Sequence, residues 1–440
     1  MNRGLLHRQA WHRSHLARSV LLADELRTAV GIKERSLDCR CDALPVPTVP
    51  TVPLLHADVL RGAAHFDTLA PEWQAAVDRM ARPSLFVTPT FLRIAWQHLA
   101  ETDDEPWFVV VRRQGELVGL LPLVRQREPS SRLLRHVLVH MGLLGGDRPG
   151  LVHTVPADAV WQAALAALQA QRRHWQVLDL RELDADAWPV RQAASRGGAH
   201  WRCEPSTEAG ALRLEGTWDD YLAQRSRNTR QGFRRVERRL HEAHPEVRID
   251  VADRADTVDA ALDRYFAIDA RSWKREANVE FWSDAREAAA LRATVRALAA
   301  SGQASVWLLA AGPGDTRDMA GLVRLRQGSV VYERCATYDP AHAAFSPSTY
   351  LCMQAVRRSF GAGCDESDVL GLPGPLAERP AIHAWYPLVR RTWRVQVVNG
   401  PWWWPVVQAW QQPRVPRLSL VPVGLAWMPR APAPQISRTA

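Results

Sequence analysis

Apolar residues in this chain fall into short runs separated by turn residues, and the runs come in a repeated order. The first set opens with two strand-length runs, "PWFVVVRR" and "ELVGLLPLV", around the turn "QGE". A third run, "RHVLVHMGLL", follows. The helix-period stretch "PADAVWQAALAALQAQ" then leads to the strand-like "WQVLDLREL". The second set holds "ASVWLLAA", "MAGLVRLRQ" and "SVVYERCATY", with "QG" as the tight turn between the last two. "SPSTYLCMQAVRRSF" then reads as a helix and "CDESDVLGL" as a strand. Hairpin, strand, helix and strand recur in order, although the residues themselves do not repeat. Each set predicts an open, mostly antiparallel sheet flanked by helices, which makes the chain α/β (α+β).

The segment between the two sets, "TWDDYLAQRSRNTRQGFRRVERRL", starts with Thr217 and Asp220 at capping-box spacing. Phe233, Val236 and Leu240 share one helical face. Arg227, Arg230, Arg234 and Arg238 follow helical steps along another, and Arg225 to Arg239 holds seven arginines against the single acid Glu237. Such a stripe is either a solvated face or a groove for an anionic substrate. "PVPTVPTVP" is a polyproline-like linker after a basic extension, and the Trp- and Pro-rich end, with Trp402, Trp403 and Trp404, reads as an irregular tail. The expected division is therefore 1–55, 56–205, 206–394 and 395–440.

Composition narrows the function classes. With 440 residues, 47% hydrophobic and 23% charged, the chain has the profile of a globular protein. No apolar run reaches the ~18 residues of a membrane span, and no secretory signal is recognisable. Peripheral contact of the tail with a membrane surface stays open. The net charge of +9 looks like a nucleic-acid signal, yet only Lys33 and Lys274 are lysines among 56 basic residues. That is an arginine bias of the whole chain, and it argues against nucleic acid as the partner. The six cysteines form no C-x-x-C pair and no zinc spacing, so no metal is expected. Unpaired thiols fit a reduced, cytoplasmic location. No Ser-His-Asp spacing, H-E-x-x-H or Walker loop supports hydrolase or NTPase chemistry.

The candidate chemistry gathers near one strand end. Strict alternation along "SVVYERCATY" places Glu333 with Val331, Cys335 and Thr337, opposite Tyr332, Arg334 and Tyr338. Glu333 is then a general base or a carboxylate paired with an arginine. Tyr338 is a general acid or a packed tyrosine. Asp339 contacts substrate or opens the turn "DP". Ser346 is expected as the N-cap of the following helix, with Pro347 in its first position. Asp365 and Asp368 read as solvated carboxylates at the last strand, and His140 as a satisfied core histidine.

The order and spacing of "ELVGLLPLVRQR", "SRNTRQGFRRVERRL", "DARSWKRE" and "YDPAHAAFSPSTYL" resemble the GNAT acyltransferase superfamily. More narrowly they are similar to the cellulose-biosynthesis CelD-type acetyltransferases, which resemble the Fem peptidoglycan transferases. The resemblance implies two tandem GNAT-like domains, the second carrying the donor site. It implies acetyl-CoA or another acyl-CoA as donor and a small-molecule or glycan-linked amine as acceptor, in polysaccharide or cell-envelope biosynthesis. The catalytic residues would be Glu333 and Tyr338. Ser346, Ser348, Thr349 and Arg334 would hold the donor, and Arg227, Arg230, Arg234, Trp273 and Asp339 the acceptor. Ser348 stands where the family usually has Gly, and the later Tyr-Lys pair is absent, with only Arg379 in a comparable region. The alternatives are an aminoacyl-tRNA donor, as in the Fem transferases, or a non-catalytic assembly factor.

Overall fold

The structure, a computed structural model, describes residues 55–407 except 128–132, 197–199, 273–283, 313–316, 373–375, 377–379, 401, 402 and 404. The expected basic extension and Pro-rich linker, Arg379, Trp402, Trp404 and the substrate candidate Trp273 lie outside the described residues. In chain order the elements begin with β1 (Leu55–Arg61), α1 (His65–Asp78), α2 (Pro89–Leu99), β2 (Glu105–Arg113), β3 (Glu116–Gln126), β4 (Val137–His140) and β5 (Val152–His153). They continue with α3 (Ala157–Ala170), β6 (Val177–Asp184), α4 (Trp188–Arg196), β7 (Trp201–Arg213), α5 (Trp218–Ala223), α6 (Arg227–Ala243) and β8 (Arg248–Ala252). The remainder are α7 (Val258–Asp269), α8 (Ala285–Ala299), β9 (Ala304–Ala310), β10 (Asp318–Gln327), β11 (Val330–Tyr338), α9 (Pro347–Ser359), β12 (Glu366–Leu372), α10 (Pro380–Trp385) and β13 (Leu388–Val398).

Two compact units result. One contains the described chain up to Ser206 together with the return segment from Arg391, and the other is Thr207–Arg390. The first unit orders its strands β1-β2-β3-β4-β6-β13, with β5 beside β3; the second orders them β7-β12-β11-β10-β9-β8. Within each, neighbours are antiparallel except one parallel pair: β4 with β6, and β11 with β12. The fold is thus mixed α/β, with mostly antiparallel sheet flanked by helices.

The hairpins follow from their turns. Gln114 and Gly115 both have positive φ (52° and 86°), which a two-residue hairpin turn needs to match the strand twist. The apolar runs Trp107–Val111 and Leu117–Val124 that this turn joins are buried on both faces. In the second unit, α9 lays Leu351, Met353 and Val356 on the face of the sheet that carries Leu322, Val331 and Val369. α7 covers the other face. A Cβ on Gly321 would meet Tyr265 Cδ2 at 2.7 Å, so only glycine lets α7 approach β10 this closely. α8 lies beside α7 and is tied to it by Arg292 on Asp263 (2.6 Å) and by Arg296 on Asp259 (2.9 Å). In the first unit, His140 is fully buried, as expected of a core histidine. Burial pushes its pKa down to about 4, so it is neutral.

Candidate functional site

The site begins where two parallel strands part. β11 and β12 are paired from Val330↔Glu366 to Tyr332↔Asp368, and the register goes no further. Each strand has a local cause for leaving. On β11, Val323 faces Cys335 and Arg324 faces Glu333, so the register steps over Arg334. A bulge of this kind bends the strand and increases its twist. On β12, the Leu370 N–H donates to Asp368 Oδ1 at 2.7 Å, and Leu370 takes a left-handed φ of 64°. The pairing of β12 with β7 slips at the same place, between Asp368 and Gly371. Asp368 is not the solvated carboxylate read from the sequence. It is 0% exposed and accepts from Arg390 Nη1 at 2.7 Å, while the same guanidinium also grips Glu366.

The bulge also overturns the expected alternation. Val331, Ala336 and Tyr338 share the α9-side core, so the face changes parity across Arg334. Glu333 lies on that α9 side too, its carboxylate close to the Arg324 and Ser359 side chains. Arg324 donates to it from Nε (3.2 Å to both oxygens) and from Nη2 (3.0 Å), and Ser367 Oγ of β12 adds a third donor at 2.9 Å. Arg324 is itself fixed by the Ala355 carbonyl (3.1 Å) and Ser359 Oγ (2.7 Å) of α9. Glu333 is fully buried and saturated with partners. Its ion pair ties β11, β12 and α9 together just behind the fork.

At the open end of β11 the chain turns through a short 3-10 segment, Pro340–Phe345, into α9. Asp339 builds this turn. Its Oδ1 accepts from the Ala341 N–H (3.0 Å) and its Oδ2 from Arg271 Nε (2.7 Å). Burial pushes its pKa up, but these donors and the Arg271 charge outweigh that and hold it below the usual carboxylate value. Burial pushes the Tyr338 phenol up, so it keeps its proton through neutral pH. Ser346 occupies the N-cap position of α9 as expected, and Pro347 its first turn. However, Ser346 has a left-handed φ of 50° and its side chain makes no capping hydrogen bond. Ser348 is buried, and its side chain hydrogen-bonds Cys352 one turn further along α9. Pro347 carries no N–H, so the mouth of α9 is formed by the backbone that follows it.

Tyr338, Asp339, Ser346, Ser348 and Thr349 are therefore brought together around one turn. The arginine stripe is not. α6 runs antiparallel to α9, with Phe345 against His244, Tyr350 Oη 3.2 Å from His241 Nε2, and Gln354 Nε2 donating to Glu237 at 3.3 Å. At 1.5 Å per residue, Arg234 lies about 10 Å and Arg227 about 21 Å along α6 from His241, toward the far end of α9. Arg230 is engaged locally, donating to the carbonyls of Ala223 (2.7 Å) and Arg225 (3.0 Å). Arg334 lies at the bulge of β11, and its charge lowers the pKa of Glu287 in the first turn of α8.

Sequence reasoning missed Glu287. "DARE" at Asp284–Glu287 reads as a capping box, the commonplace meaning of that spacing. Asp284 does cap α8, accepting from the Arg286 N–H at 2.8 Å, yet Glu287 Oε2 is buried without a hydrogen-bond partner. No group of His, Cys, Asp and Glu among the described residues is arranged to hold a metal, and no described helix is long and apolar enough to cross a membrane.

Comparison with known proteins agrees with this geometry. Residues 227–377 match a family model described as an acetyltransferase (GNAT) domain. That span contains α6, the fork and the start of α9. No curated protein matches the chain. Among solved structures, FemX is similar over 78% of this chain and 98% of its own, with 12% identity and a TM-score of 0.57. The C-terminal domain of a putative lysylphosphatidylglycerol synthetase from Agrobacterium fabrum covers 78% of this chain and 95% of its own, at 12% identity and a TM-score of 0.48. A tandem GNAT protein from the clavulanic acid biosynthesis pathway covers 79% and 99%, at 14% identity and a TM-score of 0.45. The chain thus carries a GNAT-type acetyltransferase domain, and the FemX likeness shows the fold.

Proposed function

We propose that the second unit is an N-acyltransferase that moves an acetyl or longer acyl group from acyl-CoA to an amine. The observation that supports this most directly is the fork. β11 loses its parallel neighbour after Tyr332, and a helix of thirteen residues begins at the open end. An extended pantetheine arm fits such a gap as an added strand would. The mouth of α9 suits the pyrophosphate through backbone N–H groups and the positive end of the helix dipole. The absent Ser346 cap and the Ser348 hydroxyl turned toward Cys352 favour that use, even though Ser348 stands in place of the family's glycine. In this reading Tyr338 returns a proton to the departing thiolate. Glu333, locked to Arg324, holds the fork together. Asp339 shapes the turn, and Arg227 and Arg234, both exposed, meet an anionic part of the acceptor or its carrier.

The acceptor class we infer is an amino sugar or a similar glycan-linked amine of polysaccharide or cell-envelope assembly, met in the cytoplasm, as in the CelD-type enzymes that the sequence resembles. Calorimetric titration with acetyl-CoA and longer acyl-CoAs tests the donor. Saturable binding with thermal stabilisation is expected; its absence for every acyl-CoA sinks the assignment. The exposed arginines of α6 favour a second reading, aminoacyl-tRNA as donor. That reading requires RNA binding that weakens steeply with salt.

A further inference from the structure

We propose, on the N-acyltransferase reading of the second unit, that the Thr337 hydroxyl of β11 holds the donor. It would donate a hydrogen bond to an amide or hydroxyl oxygen of the pantetheine arm where that arm runs along the strand. The register fixes which way Thr337 points. In the antiparallel pair of β10 and β11, Thr337 lies opposite Gly321, and directly opposed residues share a face of the sheet. A Cβ on Gly321 would meet Tyr265 at 2.7 Å and Ile268 at 3.3 Å, both on α7. Gly321 therefore faces α7, and so does Thr337. Its chain neighbours agree, since Ala336 and Tyr338 lie in the core on the α9 side. Thr337 is also past the fork. The pairing of β11 with β12 ends at Tyr332↔Asp368, so beyond it no described strand pairs with that edge of β11.

The hydroxyl oxygen has no use in the free protein. Thr337 is 2% exposed, and its Oγ1 has no hydrogen-bond partner among the described residues. A strand favours a β-branched residue here, but that preference does not ask for an oxygen. Valine has the same shape, and a buried hydroxyl without a partner is a net cost. A structure keeps such a group chiefly where a ligand completes it. An arm seated in the gap takes the place of the missing strand. Opposed positions on neighbouring strands come within about 4.5–5.5 Å at Cβ, so a polar group of the arm on the α7 face is within reach of Oγ1. Pantetheine offers amide carbonyls and a hydroxyl for this contact. The wall on that face is fixed. Arg271, just beyond α7, donates to Asp339 Oδ2 at 2.7 Å and pins the end of the helix to the turn that follows β11.

The test compares the full chain with its Thr337→Val and Thr337→Ser variants. In calorimetric titration, Thr337→Val should bind acetyl-CoA about threefold to tenfold more weakly, the loss of one neutral hydrogen bond. Thr337→Ser, which keeps the hydroxyl, should stay close to wild-type affinity. Adenosine 3′,5′-bisphosphate, the nucleotide part without the arm, should bind all three proteins equally. Without ligand, Thr337→Val should melt at the wild-type temperature or above, because it removes an unpaired buried oxygen. A merely structural threonine gives the opposite pattern, a lower melting temperature with acetyl-CoA affinity unchanged. That pattern overturns the proposal and leaves the donor assignment standing. So does an affinity loss shared by the armless nucleotide, or one that Thr337→Ser shows in full. A wild type that binds no acyl-CoA overturns the donor assignment, and the role of Thr337 falls with it.

Discussion

Glu182, at the end of β6, has a left-handed φ of 58° and is 4% exposed. Burial and the neighbouring Asp147 carboxylate push its pKa up to about 8, from an ordinary value of 4.5, although the Arg148 N–H donates to Oε2 at 2.5 Å. The folded state thus binds a proton that the unfolded chain releases above about pH 4.5. This contribution to stability is fully present below that pH and is lost progressively as the pH rises through 8. Glu182→Gln keeps the shape without the ionisation. Urea unfolding should therefore show wild-type stability falling from pH 5 to pH 8 with a steeper slope than the variant. An unchanged slope would show that the proton is held elsewhere. Glu333 makes a different point about single residues. Arg324→Met should destabilise the protein by about 3–5 kcal/mol, because the Glu333 carboxylate is left buried without its main partner. Arg324→Met with Glu333→Leu should recover much of that loss, and a double variant as unstable as the single would contradict this. The sequence left Glu333 between base and ion-pair partner. Choosing between them required Arg324, nine residues away across a hairpin, and Ser359 and Ala355 on another element.

Elements with a local cause were readable from local pattern. The Thr217–Asp220 capping box forms with both of its hydrogen bonds, and the turn at Gln114–Gly115 falls where expected, while the second turn is Gly328–Ser329, one residue on from "QG". The α9 boundary was equally plain from Ser346 and Pro347. The bulge at Arg334 was not, because nothing in "SVVYERCATY" distinguishes a straight strand from one whose register slips against β10. Assuming period-two alternation through it assigned Tyr338 to the wrong face. The α9 mouth yields a prediction at this scale. Ser346→Asp keeps a residue tolerant of the left-handed region and supplies a carboxylate at the helix N-terminus. It should leave the melting temperature unchanged or raise stability by about 0.3–1 kcal/mol through the helix dipole. The same carboxylate would compete with and repel a pyrophosphate, so acetyl-CoA affinity should fall at least about tenfold, a change of 1.4 kcal/mol or more. Thermal denaturation beside calorimetric titration reads both quantities. Equal acetyl-CoA affinity in variant and wild type would move the phosphate site away from α9.

At the scale of the molecule, the duplicated order of elements was legible because each copy has its own runs and turns. The return of the chain was not. "RTWRVQVV" is an ordinary alternating stretch that could pair with any free strand edge. Only tertiary structure sends it back to β6, through pairs such as Val395↔Leu180 and Val397↔Leu178. Trp393, Val395 and Val397 then complete the core of the first unit. Arg394 donates to both oxygens of the fully buried Asp179 (2.6 and 2.8 Å) and to Glu204 (3.0 Å). Burial opposes ionisation of Asp179, yet Arg181 and Arg394 together hold its pKa well below the usual carboxylate range. Ending the chain at Arg390 would leave every residue of the acetyltransferase match in place. It would nonetheless strip a strand from the first unit and take one of the two guanidiniums from Asp179. Breaking one side of a buried charge cluster costs about 3–5 kcal/mol, before the lost apolar contacts are counted, against total stabilities of about 5–15 kcal/mol. Limited proteolysis of the truncated chain should therefore cut within residues 55–206, while residues 207–390 stay protected as in the full chain. Survival of the first unit as a resistant fragment would mean that its sheet is complete without β13.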